Sequence, residues 1–193
     1  MKTFNLKGTK RTETGKKSTK QLRKEDRVPC VLYGGDEVVH FSIDATVLRH
    51  IVYTPSVFLL KVEVDGAAYD AVLQDLQFHP VSDKVLHVDF YRVFEDKPLT
   101  MSIPAVITGN SDGVKAGGKL QVNMRKLKVR GLAAHMPDAL KIDITTVGLG
   151  QSVKVGSLHF ENLTVLDPAN AVVCGVRLTR AARGAAQTSD AKK

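Results

Sequence analysis

Tryptophan is absent from this sequence, aromatic residues make up only 6% of it, and there are just two cysteines. Cys30 and Cys174 lie far apart in apolar surroundings, so we expect two buried thiols and neither a disulfide nor a zinc site. No apolar run is long enough to cross a bilayer. The basic N-terminal segment has no apolar core of a secretory signal, so we expect a cytoplasmic protein that does not contact membranes.

Motifs of the common enzyme classes are missing as well. The sequence has no nucleophile elbow, no P-loop and no HExxH helix, and its six histidines are scattered. The glycine-rich stretch 113–118 does not follow the strand-to-helix layout of a phosphate loop, so we interpret it as a hairpin connector. We therefore expect no enzymatic activity, no catalytic residue and no cofactor; the alternative is a metal-dependent hydrolase, which would need a metal bound at His87 and Asp89.

Positive charge is present in excess, and most of it is concentrated in one segment. The formal net charge is +8. Residues 1–27 hold ten lysines and arginines against three acids, whereas residues 28–97 hold five against eleven. A basic segment beside an acidic body is typical of proteins that bind a polyanion. A solvated basic arm would have the same composition, so charge alone leaves both interpretations open.

Short-range signals predict a mostly β chain with few helices. A run of good helix formers predicts a short basic helix over 18–26, and its single apolar residue, Leu22, indicates a surface helix rather than a core helix. Asp44 is the expected N-cap of a second helix. Asp65-Gly66 predicts a tight turn between two strands.

A change in composition near Pro98 and Pro104 suggests a domain boundary, and further strand-like segments follow it. We predict a mostly antiparallel sheet or barrel at residues 1–97 and a second β-rich domain at residues 98–180. The tail at residues 181–193 is small and charged, with too few apolar residues to order itself, so we expect it to be disordered.

Polar and titratable groups are dense in the strand-like segment from Leu73 to Arg92. His87, Asp89 and Tyr91 share one face of a strand, opposite an apolar face. With His79 or Asp75, this imidazole and carboxylate could bind a divalent metal. Side chains that accept as well as donate hydrogen bonds could instead read RNA bases and 2′-hydroxyls. An ordinary solvated sheet face is the third interpretation.

Four motifs in this part of the chain occur together in one known family. They are Arg-x-x-x-Gly-Lys from Arg11, Pro-x-x-x-Tyr-Gly-Gly from Pro29, Gln-Asp-x-Gln-x-His-Pro from Gln74, and His-x-Asp-Phe from His87. On these motifs the chain resembles the bacterial large-subunit ribosomal protein twenty-five family, whose long form is also known as the CTC general stress protein. The resemblance continues more loosely through "GVKAGGKLQ" in the second half.

The resemblance implies a six-stranded antiparallel β-barrel with short helices, similar to the anticodon-binding barrels of glutaminyl-tRNA synthetase, followed by a second β-rich domain. It implies a non-catalytic protein of the large ribosomal subunit that binds 5S rRNA at the widened minor groove of loop E. Off the ribosome it would be a monomer, and on it the second domain would meet neighbouring ribosomal proteins. The alternative is a free RNA-binding module that uses the same barrel on tRNA or under stress.

The residues that match the family's RNA contacts are divided between the basic segment and the polar strands. They are Arg11, Lys16, Thr19, Lys20, Arg23, Tyr33, Gln74, His87 and Asp89. On this interpretation, the cations hold phosphates, the polar face of the strands reads the RNA, and the apolar face forms half of a barrel core. No residue is assigned to a metal or to catalysis.

Overall fold

The computed structural model describes residues 1–179. The tail predicted to be disordered, at residues 181–193, lies outside the described residues. The chain folds as two units: the first comprises Met1–Leu99 together with Leu132–Asp138, and the second comprises Thr100–Gly131 and the chain from Ala139 onward. Within residues 1–179, no helix combines the length and the apolar character that crossing a membrane requires.

Six strands and two helices make up most of the first unit. They are β1 (Lys2–Lys10), α1 (Lys16–Lys24), β2 (Arg27–Tyr33), β3 (Val39–Asp44), α2 (Ala45–Val52), β4 (Phe58–Val64), β5 (Ala67–Phe78) and β6 (Val85–Arg92). The strands form a closed barrel in the order β1-β3-β2-β6-β5-β4. The predicted mostly β fold with a six-stranded barrel is confirmed.

The barrel is mixed rather than wholly antiparallel, and this corrects one detail of the prediction. β1 runs parallel to β4, and β2 runs parallel to β6. The other neighbours in the barrel pair antiparallel. Alternation of apolar residues identifies a strand and its buried face, but it carries no information on the direction of the partner strand. Parallel partners are joined by long connections, so no local turn signal marks them.

The barrel interior is filled by large side chains from every wall, with space made for them by small ones. Phe41 of β3 and Phe90 of β6 are fully buried, and their ring centroids are 5.7 Å apart. The Phe41 ring lies over Gly8 of β1, where an added Cβ would come within 2.5 Å of a ring carbon. Glycine at this position therefore gives the phenylalanine the room that it needs.

The two helices agree with their predicted character and differ slightly in their bounds. No residue of α1 is buried, so it is a surface helix as predicted. It runs over Lys16–Lys24 rather than 18–26, starting after Gly15 as its N-cap residue. Its end is earlier than predicted because Asp26 adopts a left-handed φ of 53°, which stops the helix before Val28-Pro29 is reached. The predicted N-cap of α2 is confirmed, since the Asp44 carboxylate accepts a hydrogen bond from the Thr46 N–H at 2.8 Å.

The predicted turn between β4 and β5 is also confirmed. Asp65 and Gly66 have φ values of 49° and 85°, the positive values that a type I′ hairpin turn requires at both central positions.

The rest of the described chain is β-rich, as predicted. It contains β7 (Leu99–Thr108), α3 (Asp112–Lys115), β8 (Lys119–Val122), β9 (Lys126–Gly131), β10 (Leu140–Asp143), β11 (Ser152–Lys154), β12 (Thr164–Val165) and β13 (Val172–Arg177). One sheet has the order β10-β7-β9-β12, and a second has the order β11-β13-β8.

The glycine-rich stretch 113–118 is not a hairpin connector, and that interpretation was wrong. It joins β7 of one sheet to β8 of the other, and it includes part of the single-turn helix α3. The Ser111 side chain caps α3 and donates a hydrogen bond to the Val147 carbonyl at 2.5 Å. A Cβ on Gly113 would lie 2.6 Å from the backbone of Gly148, so the glycine permits close packing here.

Replacing Phe41 with alanine tests the barrel core. Phe41→Ala should lower the free energy of unfolding by about 3–5 kcal/mol, because it leaves a cavity where a large buried ring was. The measurement is urea unfolding followed by tyrosine fluorescence. This signal reports on the barrel unit alone, since all four tyrosines, at positions 33, 53, 69 and 91, belong to it and the chain has no tryptophan.

Phe78→Ala is the matched control for this experiment, because it removes the same side chain from a position that is 42% exposed. We expect it to cost clearly less. Equal losses for the two variants would contradict the assignment of Phe41 to the core.

Candidate nucleic-acid interface

A bulge in β5 concentrates polar groups on the outside of the barrel. The register between β5 and β6 shifts between Leu73 and Asp75, which leaves Gln74 as the extra residue. Leu73 and Leu76 both pack against the barrel core although they are three positions apart. Gln74 and Asp75, between them, are both exposed. The bulge thus turns two consecutive side chains outward where regular alternation would turn only one.

Two carboxylates and an imidazole meet on this outer face. Asp75 of β5 lies directly opposite Asp89 of β6 in the register. Like charges in this position destabilise a sheet, by roughly 0.2–1 kcal/mol for a typical pair. One oxygen of Asp75 accepts a hydrogen bond from the Leu76 N–H at 2.8 Å. The charge repulsion between the two strands is therefore a cost that the free protein bears at this face.

His87 is held close to Asp89 without a well-formed hydrogen bond. Its Nδ1 lies 2.7 Å from Oδ1 of Asp89, and the two side chains are 28% and 31% exposed. The angle of approach does not meet the requirement of a hydrogen bond, so within the described residues Nδ1 is buried without a hydrogen-bond partner. The pair is a close contact whose hydrogen-bonding capacity is unused within the described residues.

Two tyrosines extend the same face toward the end of β6. Tyr33 of β2 lies beside Tyr91 of β6, with ring centroids 5.8 Å apart at an interplanar angle of 75°. Partial burial raises the pKa of Tyr33, and the negative charges of Asp89 and Asp75 raise it further. The Tyr33 hydroxyl therefore keeps its proton at neutral pH and can donate a hydrogen bond.

Gly34 makes this arrangement possible. The Tyr91 ring packs so closely on Gly34 that an added Cβ would lie 2.6 Å from a ring carbon, and the φ of Gly34 is +98°. Only glycine satisfies both the close approach and the backbone conformation.

Helix α1 is tied to the polar face by one side chain. The Arg23 guanidinium donates two hydrogen bonds, of 3.1 and 3.0 Å, to the carbonyl oxygen of Leu86 in β6. Leu86 is skipped in the pairing of β5 with β6, because Gln77 pairs with His87 and the next residue, Phe78, pairs with Val85. Arg23 therefore fastens the basic helix beside the strand that carries His87 and Asp89.

The lysines of α1 remain available to another molecule. Lys16, Lys17, Lys20 and Lys24 are exposed, and none of them forms an ion pair or a side-chain hydrogen bond within residues 1–179. The first turn of α1 contains no acid. Four unpaired positive charges consequently stand next to a face that is rich in hydrogen-bond acceptors.

Besides Arg23, two more of the predicted contact residues form hydrogen bonds within the protein. The Thr19 hydroxyl donates to the Gly15 carbonyl at 2.6 Å, which leaves its oxygen able to accept. Arg11 follows β1, and its backbone N–H donates to the carbonyl of His40 at 2.8 Å. Its guanidinium donates to the Glu13 carbonyl at 3.2 Å, while its buried Nε has no hydrogen-bond partner in the described part of the chain.

The structure groups eight of the nine predicted residues on α1 and three adjacent strands. Tyr33, Gln74, His87 and Asp89 lie on the adjacent strands β2, β6 and β5, while Lys16, Thr19, Lys20 and Arg23 lie on α1 beside them. Arg11 follows β1 and bonds to β3, which β2 separates from β6 in the barrel order, and its positive charge acts on the Cys30 thiol of β2.

Sequence reasoning considered Asp75 only as a possible metal ligand and did not include Tyr91 among the contact residues. The spacing of Leu73 and Leu76 was the signal for the bulge that turns Asp75 outward. The alternation along β6, which places Tyr91 on the side of His87 and Asp89, was the signal for the tyrosine.

Other reactive groups in the described chain serve the fold. Nδ1 of His79 accepts hydrogen bonds from the backbone N–H groups of Val81 and Ser82, at 3.3 and 3.2 Å, and so organises the loop between β5 and β6. No group of three histidine, cysteine or acidic residues in residues 1–179 is arranged to hold a metal ion. Burial raises the pKa of both Cys30 and Cys174, which keeps these free thiols protonated and unreactive.

Comparison with known proteins identifies the family. The model of the ribosomal L25p family matches residues 6–90, and that of the ribosomal protein TL5 C-terminal domain matches residues 98–180. The chain is 52% identical to a protein of Porphyromonas gingivalis over 96% of its own length and 98% of the relative's. The chain belongs to the ribosomal L25p family.

Further relatives agree with this assignment. A protein of Phocaeicola vulgatus is 50% identical, covering 98% of this chain and 99% of its own. One from Bacteroides thetaiotaomicron is 49% identical, covering 96% and 97%. All three relatives carry the name large ribosomal subunit protein bL25. Membership of this family, in the long form with the second domain, identifies a structural ribosomal protein that is not an enzyme.

Substituting Gly34 tests the support that it gives to the tyrosine pair. Gly34→Ala should cost about 1–3 kcal/mol of backbone strain and roughly 1–3 kcal/mol more from the collision with Tyr91. Gly66→Ala is the control, because its φ of +85° is also positive and an added Cβ meets nothing within 4 Å. Urea unfolding followed by tyrosine fluorescence measures both. A loss for Gly34→Ala no greater than that for Gly66→Ala would show that the ring contact is unimportant.

Proposed function

We propose that this protein binds 5S rRNA in the large subunit of the cytoplasmic ribosome, through α1 and the outer face of β2, β6 and β5. The names of its relatives support the large subunit as its location. The observation that carries the proposal is the bond from Arg23 to Leu86, because it joins unpaired cations and a polar strand face into one continuous surface.

The lysines of α1 supply the electrostatic part of the binding. Lys16, Lys17, Lys20 and Lys24 have no intramolecular ion pair in the described chain, so contact with phosphate breaks no bond within the protein. Each phosphate that they neutralise releases condensed counterions, which favours binding and makes it dependent on salt. These contacts hold and orient the RNA without reading its sequence.

The carboxylates on the strand face supply the recognition of RNA bases and sugars. The minor groove of RNA displays 2′-hydroxyl groups, and the amino group of guanine is the hydrogen-bond donor of its base edges. Asp75 and Asp89 can accept from both, and such bonds would also relieve the repulsion between the two charges. For these two carboxylates to reach such donors, the minor groove must be wide enough to admit the strands that carry them, and a widened groove such as that proposed for loop E meets this condition.

The tyrosines complete the surface at its edge. The protonated hydroxyl of Tyr33 donates where the carboxylates only accept, so the face combines both kinds of hydrogen-bonding group. The contact between its ring and that of Tyr91 fixes the direction of the hydroxyl before RNA arrives, which lowers the entropy cost of binding.

Co-sedimentation tests the assignment directly. Tagged full-length chain expressed in cells should sediment with the large subunit in a sucrose gradient, and 5S rRNA should accompany the chain when subunits are dissociated in stages and the tag is captured. Recovery of the chain only in the free fraction would contradict the proposal.

Asp89→Ala distinguishes reading from simple charge attraction. If Asp89 accepts from the RNA, its loss should weaken 5S rRNA binding ten- to a hundred-fold, about 1–3 kcal/mol, because a donor is left unpaired. Filter binding measures this effect. Glu63→Ala removes the same charge from an exposed position on β4 and should leave affinity almost unchanged. Equal or tighter binding by a folded Asp89→Ala variant would show that the face is ordinary solvent surface.

A salt titration identifies the phosphate contacts. The double variant Lys16→Gln, Lys20→Gln should make the slope of log affinity against log salt shallower by about 1.4–1.8, the amount expected for two phosphates. The control variant Lys7→Gln, Lys61→Gln removes two exposed cations from β1 and β4. If both double variants change the slope equally, the effect comes from net charge and not from α1.

A further inference from the structure

The second unit contains a basic region of its own. Residues 113–131 include six lysines and arginines and no aspartate, glutamate or aromatic residue. Three of the cations lie on β9, at Lys126, Lys128 and Arg130, and Arg125 precedes the strand. This region belongs neither to α1 nor to the strands of the barrel, so the proposed 5S rRNA site does not account for it.

The three cations of β9 form a straight row on one face of the sheet. Leu127 and Val129, which alternate with them, are fully buried. Lys126, Lys128 and Arg130 are exposed and point to the other side. Successive members of such a row are about 6.5–7 Å apart, twice the rise per residue of a strand. We refer to Lys126, Lys128 and Arg130 as the β9 row.

The charges of the β9 row are not neutralised within the described chain. None of its side chains forms an ion pair or hydrogen bond within residues 1–179, whereas Lys115, in the same basic region, lies 2.9 Å from the carboxylate of Asp112. Asp167 does contact β9, but its carboxylate accepts from the backbone N–H of Lys128 at 2.7 Å. Lys141, on β10 of the same sheet, is exposed as well.

We propose that the β9 row binds the sugar-phosphate backbone of RNA, as a second RNA contact independent of the barrel unit. An evenly spaced line of cations complements the regular line of phosphates along a nucleic-acid strand. The row contains no hydrogen-bond acceptor, so it holds RNA without reading its sequence. A protein partner would need acidic groups at the same even spacing, and the crosslinking experiment below distinguishes it from RNA.

Full-length variants test this proposal in a background where the α1 lysines, Lys16, Lys17, Lys20 and Lys24, are all replaced by glutamine. The probe is a fluorescein-labelled RNA duplex of mixed sequence, titrated by anisotropy at several salt concentrations. Adding Lys126→Gln, Lys128→Gln and Arg130→Gln should lower the remaining affinity about tenfold at low salt and make the salt slope shallower by about 2–3.

The matched control replaces Lys119, Lys154 and Arg177 with glutamine in the same background. These exposed cations lie on β8, β11 and β13 of the other sheet, so the control makes the same change in net charge. Its affinity should stay close to that of the background. Equal losses in the two triple variants, or no loss in either, would overturn the proposal. The proposed barrel site is tested separately, by titrating 5S rRNA with the variant that lacks only the α1 lysines. If that variant binds 5S rRNA as tightly as the unmodified chain, the barrel site is wrong, whereas the comparison of the two triple variants remains a valid test of the β9 row.

Crosslinking on the ribosome identifies the class of partner. Lys128→Cys introduces an exposed thiol into a chain whose own two cysteines are buried, so a photoreactive group can be attached selectively. After incorporation into large subunits and irradiation, the adduct should be sensitive to ribonuclease. An adduct with a protein and none with RNA would overturn the proposal.

Discussion

The parallel pairing of β2 with β6 determines where the rest of the candidate interface lies. Only Glu25 and Asp26 separate the end of α1 from the start of β2, so the helix has to stay close to that strand. Because β6 is the neighbour of β2, the basic helix and the polar strand become adjacent, and Arg23 can reach the carbonyl of Leu86. With a different strand between β2 and β6, the lysines and the carboxylates would lie on separate surfaces.

The features that could be predicted from sequence are those that depend on a few neighbouring residues. The alternation along β6, the cap at Asp44 and the turn at Asp65-Gly66 have local causes: the period of a strand, a carboxylate that reaches the first helical N–H groups, and two residues that tolerate positive φ. The surface position of α1 likewise follows from its having a single apolar residue.

The features that escaped prediction depend on contacts between distant segments. Neither the parallel pairs of the barrel nor the passage of the chain from β7 to a strand of another sheet has a local signature. The bulge at Gln74 is an intermediate case, since Leu73 and Leu76 both have to face the core and three-residue spacing does not fit an unbroken strand. Motif matching predicted Gln74 and Asp89 as contact residues and, although Asp75 lies within the same motif, did not include it.

Closure of the barrel also matters before any partner is present. A closed barrel has no outermost strand, so no strand of the first unit offers a full-length free edge to another chain. In the described part of the second unit the sheets are open, but their outermost strands, β10, β12, β11 and β8, are only two to four residues long. β8 and β10 also carry an exposed lysine each, Lys119 and Lys141. Newly made chains waiting to be assembled are thereby protected from pairing with one another edge to edge, although strands are their main regular structure.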